Sequence, residues 1–383
     1  MSSTDTLDVA VIGRGMIGSA AARHLAEGGE RVALVGPGEP DDRRASEGPF
    51  SSHPDEGRIT RIAGRSPIWT EVAARSIERY DDIATRSGIG FHVPCGLVTA
   101  YHDAPDWVDR ASRFGSRARL VDRDWVRTST GIDLDGRLPI LYEPDPAGHI
   151  NPRRLVAAQS RLASLAGATV VDGTVAGVRR RSGGFEISGS WGAITAHRVL
   201  LATGAFGADL FDFSLDVERR PRTTLMAEAP EDPRLPSAIV ESPPDDRLTE
   251  IYWVPPLRYP DGVTRIKIGG HLESLQPLES DQLVEWFHGD GDPTEIDALH
   301  ANLDALLPDA ALGPVTTAPC VITATPSGHP YIGWVADQVA VAIGGNGSAA
   351  KSSDELGRIA AGLFGDDGWV SPIDPAAFAP VLT

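Results

Sequence analysis

Residues 7–36 read LDVAVIGRGMIGSAAARHLAEGGERVALVG, and no other stretch of the chain restricts its fold so strongly. "LDVAVIG" is a short apolar run rich in β-branched residues, which predicts a buried parallel strand. "MIGSAAARHLAEGGE" has helical spacing and stops at Gly28 and Gly29. "RVALVG" predicts a second strand. Strand, glycine turn, helix and strand in this order form the βαβ opening of a doubly wound α/β fold. Between the first strand and the helix stand Gly13, Gly15 and Gly18, in G-x-G-x-x-G spacing. The first glycine permits the tight turn, the second lets the backbone approach a pyrophosphate, and the third lets the helix pack close to the strand. The helix N-terminus then faces the phosphates. In this context the motif predicts a dinucleotide-binding site.

The spacing does not choose between FAD and NAD. An acidic residue is expected about 20 residues further on, where it holds the ribose hydroxyls. It is missing here, since Val35 is followed by Gly36. Glu39 or backbone groups are expected to take its place.

A chain of 383 residues is long enough for two domains. Strand–helix segments come in three blocks, with β-rich segments between them. The blocks 1–90, 145–214 and 316–383 are expected to form a discontinuous, Rossmann-like dinucleotide-binding domain. The segments 91–144 and 215–315 are expected to form an inserted, sheet-rich substrate domain. Residues 36–64 are loop-like, and a loop of that length predicts a functional role.

The formal net charge of −18 argues against nucleic acid, which requires a basic footprint, and against an anionic membrane surface. A small anionic substrate remains compatible if positive charge is focused locally. The start "MSSTDTLDVAVIG" has no basic region followed by a long apolar run, and no stretch reaches the length of a membrane span. The two cysteines, Cys95 and Cys320, make no framework of several bridges. A cytoplasmic monomer or small homo-oligomer is the expectation.

Lys and Arg together number 35, yet only Lys267 and Lys351 are lysine. Arginine is a wide planar fork that stays charged, whereas lysine is a compact ammonium on a slim stem whose pKa moves readily on burial. The two lysines are either accidents of composition or places where a guanidinium does not serve.

Four stretches decide between these readings: the N-terminal fingerprint, "SSHPDEGRITRIAG", "RIKIGGH", and "APCVITATPSGHPYIGWV" followed by "AIGGNGSAAKSS". In order and spacing they resemble the sarcosine oxidase branch of the D-amino-acid-oxidase-like flavoproteins, nearly end to end. The resemblance implies FAD as the cofactor. It implies that Ser52, His53 and Arg58 line the flavin and that Arg61 faces a substrate carboxylate, a task suited to a bidentate fork. Cys320 matches a cysteine that joins FAD through a thioether in several members; otherwise it is a small buried hydrophobe, as Cys95 is expected to be. Gly344, Gly345 and Gly347 fall in the last cofactor-binding turn, and Lys351 falls on the carboxylate-binding lysine there. The bulkier residues usual in that turn are replaced by Gly345, Ser348 and Ala350, which implies a larger pocket or a differently shaped flavin edge. Lys267 falls on the lysine that activates oxygen. His271 matches a histidine close to the substrate, although a lone histidine is as often structural. Trp253 falls on an aromatic pocket wall, or else packs in the core. Both lysines thus coincide with functional lysines of the family.

The expected activity is FAD-dependent oxidation of a small amino acid or secondary amine to an imine, with oxygen reduced to hydrogen peroxide. A dehydrogenase that passes electrons to another acceptor, and a non-catalytic flavin-binding subunit, are the alternatives.

Overall fold

A computed structural model describes residues 6–51, 55–207, 210–366 and 368–383. The apolar run at the N-terminus becomes the strand Leu7–Ile12, at the centre of the first of two eight-stranded sheets. It runs parallel to Val32–Val35 on one side and to Gly192–Leu201 on the other. Thr169–Val171 extends the sheet beyond Val32–Val35, and Val339–Ile343 pairs in parallel with Gly192–Leu201. Strands buried on both faces must be apolar throughout, and Val9, Ala10, Val11 and Ile12 are all buried. The glycine turn is followed by the helix Met16–Glu27, as the spacing predicts.

That helix packs against Pro152–Leu165 and Ser353–Gly362 over one face of the sheet. A buried ionic network ties the three together. Asp354, fully buried, accepts from Arg23 at 2.6 Å, Arg79 at 2.6 Å and Gln159 at 2.9 Å. A buried charge is costly unless it is paired, and each charge here is paired. The network fixes the C-terminal helix, and with it the glycine-rich turn that precedes it.

The second sheet has the order Val315–Ala324, Glu218–Glu228, Thr264–Gly270, Glu250–Arg258, Ser237–Glu241, Leu97–Ala100, Ile140–Glu143, Arg119–Val121. One face packs on the helix Pro293–Leu306 through Leu225, Ile266, Ile268 and Trp253. Side chains alternate across a strand, so Lys267 and Tyr252 fall on the other face. Val315–Ala324 pairs with Glu218–Glu228 along its length, so the second sheet reaches past residue 315 to Ala324. Its continuation returns to the first sheet as Tyr331–Ala336. A small third sheet joins Arg58–Thr60, Gly148–Ile150 and His92–Val93. Among the described residues no helix is long and apolar enough to cross a membrane.

Candidate active site

A cavity of about 1480 Å³ is lined from both large sheets. At one end lies the N-terminal glycine turn. A Cβ on Gly13, whose φ is +113°, would stand 2.3 Å from the carbonyl oxygen of Ala202. A Cβ on Gly18 would stand 1.9 Å from the Gly13 oxygen. Gly15 opens into empty space and caps the helix without a side-chain bond, so backbone amides are left facing the cavity. This cradle fits an extended dinucleotide.

The missing acid has a steric reason. A Cβ on Gly36 would stand 2.5 Å from the backbone nitrogen of Arg14, so no side chain fits there. Glu39 does line the cavity, but both its oxygens are engaged by Arg153, at 2.6 and 2.5 Å. Gly344, Gly345 and Gly347 line the cavity in the turn after Val339–Ile343. Asn346 holds that turn: its Oδ1 accepts from the backbone of Thr325 at 2.9 Å, and its own amide donates to Thr323 at 3.0 Å. Ser52 and His53 lie outside the described residues.

Arg58 and Cys320 also line the cavity. Arg58 is ion-paired with Asp55. Burial pushes the Cys320 thiol up, with Arg58 and Lys267 pulling against it.

Arg61 and Lys351 come together at a second part of the same cavity. Arg61 follows the strand Arg58–Thr60. The buried carboxylate of Glu143 pins the turn after it, accepting from the amides of Ile62 and Ala63 at 3.1 Å each. The Arg61 guanidinium stacks over Trp107 at 4.8 Å and donates to the oxygen of Ala63. Burial lowers its pKa to about 10, and Arg65 adds to the effect. Lys351 lies in the single turn Ala350–Ser352, anchored by Tyr80, whose hydroxyl donates to the Lys351 oxygen at 2.6 Å. Its ammonium donates to the oxygen of Ser348 at 3.0 Å. Burial lowers its pKa well below the usual lysine range, and the charges of Arg61 and Arg65 push it further. Among the described residues neither cation has a carboxylate at ion-pair distance.

His271 lines this region too. Burial, and then Arg222, Arg220 and Arg65, lower its pKa to about 4, so the ring is neutral near pH 7. Lys267 is placed differently. It is fully buried and absent from the cavity wall. Its ammonium is ion-paired with Asp55 and donates to the oxygen of Gly57 at 2.8 Å. It also lies 5.6 Å from the ring centre of Tyr252, which does line the cavity. Burial and Arg58 lower the Lys267 pKa to about 8, against the pull of Asp55. In Asp55 the charges of Lys267 and Arg58 outweigh burial and hold the pKa at about 2. The three groups are charged at neutral pH and sum to one net positive charge.

Trp253 is not part of the cavity. It is fully buried behind the second sheet, paired with Ile268, and its indole donates to the oxygen of Pro236 at 3.1 Å. Consecutive strand residues face opposite ways, so the aromatic on the cavity side is Tyr252. Sequence reasoning missed Tyr252, Asp55, Arg222 and Glu143. Alternation from Lys267 was the one available signal, and it points to Tyr252 once the strand register is known.

The cradle accommodates a dinucleotide, and the identity of that dinucleotide follows from comparison with known proteins. The family model described as FAD dependent oxidoreductase matches residues 8–363. The chain belongs to this FAD-dependent oxidoreductase (DAO) family. Monomeric sarcosine oxidase of Streptomyces avermitilis is 26% identical over 379 residues, covering 94% of this chain and 93% of the relative. The NikD structure, described as an unusual amino acid oxidase essential for nikkomycin biosynthesis, superposes with a TM-score of 0.78 at 20% identity, over 99% of this chain and 98% of that one. Glycine oxidase from Geobacillus kaustophilus superposes with a TM-score of 0.74 at 22% identity, over 99% of each chain. At these identities the two structures share the fold with this family member.

Proposed function

We propose that this chain is an oxidase of a small amino acid or secondary amine, converting a C–N bond to an imine with formation of hydrogen peroxide. The observation that carries this reading is the pair of buried basic groups, Arg61 and Lys351, which among the described residues have no carboxylate at ion-pair distance, Glu143 acting on them only from further off. A buried unpaired cation is costly, and a substrate carboxylate relieves that cost. Gly13, Gly15, Gly18 and the 344–347 turn would hold FAD, with Arg58 beside it. Bound FAD supplies the two-electron acceptance that takes an amine to an imine and passes the electrons to oxygen.

The remaining steps belong to the chain's own residues. Arg61 and Lys351 grip the carboxylate and fix the amine. The neutral ring of His271 and the surrounding guanidinium groups favour the neutral, reactive amine over an ammonium. Tyr252 forms the aromatic wall. The net positive charge of Lys267, Arg58 and Asp55 stabilises the anion that develops on oxygen. Cys320 is the proposed thioether link to FAD.

One observation favours the dehydrogenase reading instead: Lys267 is neutralised by Asp55 and does not open onto the cavity. Anaerobic bleaching of the flavin by a panel of N-methyl and cyclic amino acids, followed by admission of oxygen, separates the possibilities. The oxidase reading predicts bleaching and then rapid recovery of colour with peroxide. Bleaching without recovery assigns another acceptor, and a yellow protein that no amine bleaches removes the enzymatic reading. The same preparation, denatured in acid, should keep its fluorescence on the protein band and lose it in Cys320→Ala.

A further inference from the structure

The cavity holds more positive charge than one carboxylate requires. Besides Arg61 and Lys351, Arg222 lines it. Arg222 is 6% exposed, and its guanidinium donates to the neighbouring oxygen of Pro221 at 2.6 Å. Among the described residues no carboxylate lies at ion-pair distance from it. The carboxylate that acts on it, Glu295, is on the helix Pro293–Leu306 and spends Oε2 on the Thr223 amide at 2.7 Å. Burial raises the pKa of Glu295 to about 7, which weakens it as a counter-charge.

Strand register fixes where Arg222 points. It pairs with Cys320 on one side, and Thr224, two residues on, pairs with Gly269 on the other. Arg222 therefore stands on the Lys267–Tyr252 face of the sheet, in line with Cys320 and towards His271. Arg61 and Lys351 reach the cavity from different elements altogether, the turn after Arg58–Thr60 and the turn Ala350–Ser352. The cavity thus has two separate cationic walls, with His271 influenced by both through Arg222 and Arg65. In a chain of net charge −18 such a concentration of cations is a local field, and it favours a small anion.

We propose that the site takes a dianionic amine: a substituted amino acid whose α-carboxylate meets Arg61 and Lys351 and whose second anionic group meets Arg222. The proposal rests on the amine-oxidase reading and adds the substrate class to it. The guanidinium of Arg222, already desolvated, forms a charge-assisted bond with the distal carboxylate. A monoanionic amino acid leaves it unpaired.

The test uses the flavin-loaded protein and straight-chain acids from three to six carbons. Each dicarboxylate, malonate to adipate, is compared with the monocarboxylate of equal length, by perturbation of the flavin spectrum and by calorimetry. At least one dicarboxylate should bind ~30-fold more tightly than its monocarboxylate, which is about 2 kcal/mol at ~1.4 kcal/mol per tenfold. Arg222→Leu should reduce that preference to ~3-fold or less, and Arg222→Lys should restore part of it. A parent protein without any dicarboxylate preference overturns the proposal, whether or not Arg222→Leu folds. So does a preference that survives Arg222→Leu. Loss of FAD from Arg222→Leu, in a parent without the preference, would assign the guanidinium to the cofactor. Failure of the amine-oxidase reading looks different: no amino acid bleaches the flavin, and monocarboxylates do not bind at all.

Discussion

Lys267 is fully buried and ion-paired with Asp55, whereas Lys351, 6% exposed, donates to a backbone oxygen and faces the cavity beside Arg61. The same ammonium group is satisfied by the protein in one place and left for a ligand in the other. Pairing makes Lys267 part of the scaffold as well as a charge: removing its partner strands two buried cations. The lack of pairing makes Lys351 a stability cost that binding relieves, an arrangement usual at functional sites. The comparison teaches that burial alone does not mark a binding residue. The informative feature is a buried basic group with no carboxylate at ion-pair distance among the described residues.

The largest expected effect falls on the paired side. Lys267→Met keeps the stem and removes the charge, leaving Arg58 and Asp55 to cancel. Reaction of the reduced, flavin-loaded enzyme with oxygen should slow about a thousandfold, equivalent to ~4 kcal/mol of barrier. In the parent that rate should fall as the pH rises through about 8, where Lys267 loses its proton, and the variant should show no such fall. Stopped-flow spectroscopy measures both. An unchanged rate would make Lys267 purely structural and would favour an acceptor other than oxygen.

An effect of comparable size, on stability, comes from Asp55→Asn. Breaking a buried pair by removing one partner typically costs about 3–5 kcal/mol. The sign with pH follows from the lowered carboxylate. The stability Asp55 contributes is fully present above its ordinary value of 3.8 and is lost as the pH falls through about 2. Thermal unfolding at neutral pH should show a clear loss of Tm in the variant, shrinking in acid. An unchanged Tm at neutral pH would mean that Asp55 does not hold Lys267.

What was legible in the sequence was local or rare. The βαβ opening could be read because glycine spacing, apolar period and helix stop all lie within one contiguous stretch. The two lysines stood out because so few exist, and Arg61 only because the stretch around it resembles the family's flavin-side loop. What failed needed contacts across the chain. Asp55 acquires its meaning from Lys267, 212 residues away, and no local pattern joins them. Trp253 and Tyr252 are neighbours in sequence, and only the register against Thr264–Gly270 tells which one faces the cavity. Arg222 was one arginine among many until its strand was placed beside Cys320. Gly36 read as a departure from the expected acid, and its reason, the approach of Arg14, is likewise tertiary.

The contrast between the two lysines is tested most directly by Lys351→Met, with two readouts on one preparation. Butyrate affinity should fall by ~30-fold or more, about 2 kcal/mol, as expected when one partner of a desolvated charge pair is removed. The ligand-free protein should meanwhile keep its Tm or gain stability by ~1 kcal/mol, because a buried amine with no ion-pair partner among the described residues, its pKa already lowered by burial, has been replaced by an apolar group of similar length. A variant that loses stability while binding butyrate as the parent does would contradict the account, and would make Lys351 a structural residue like Lys267.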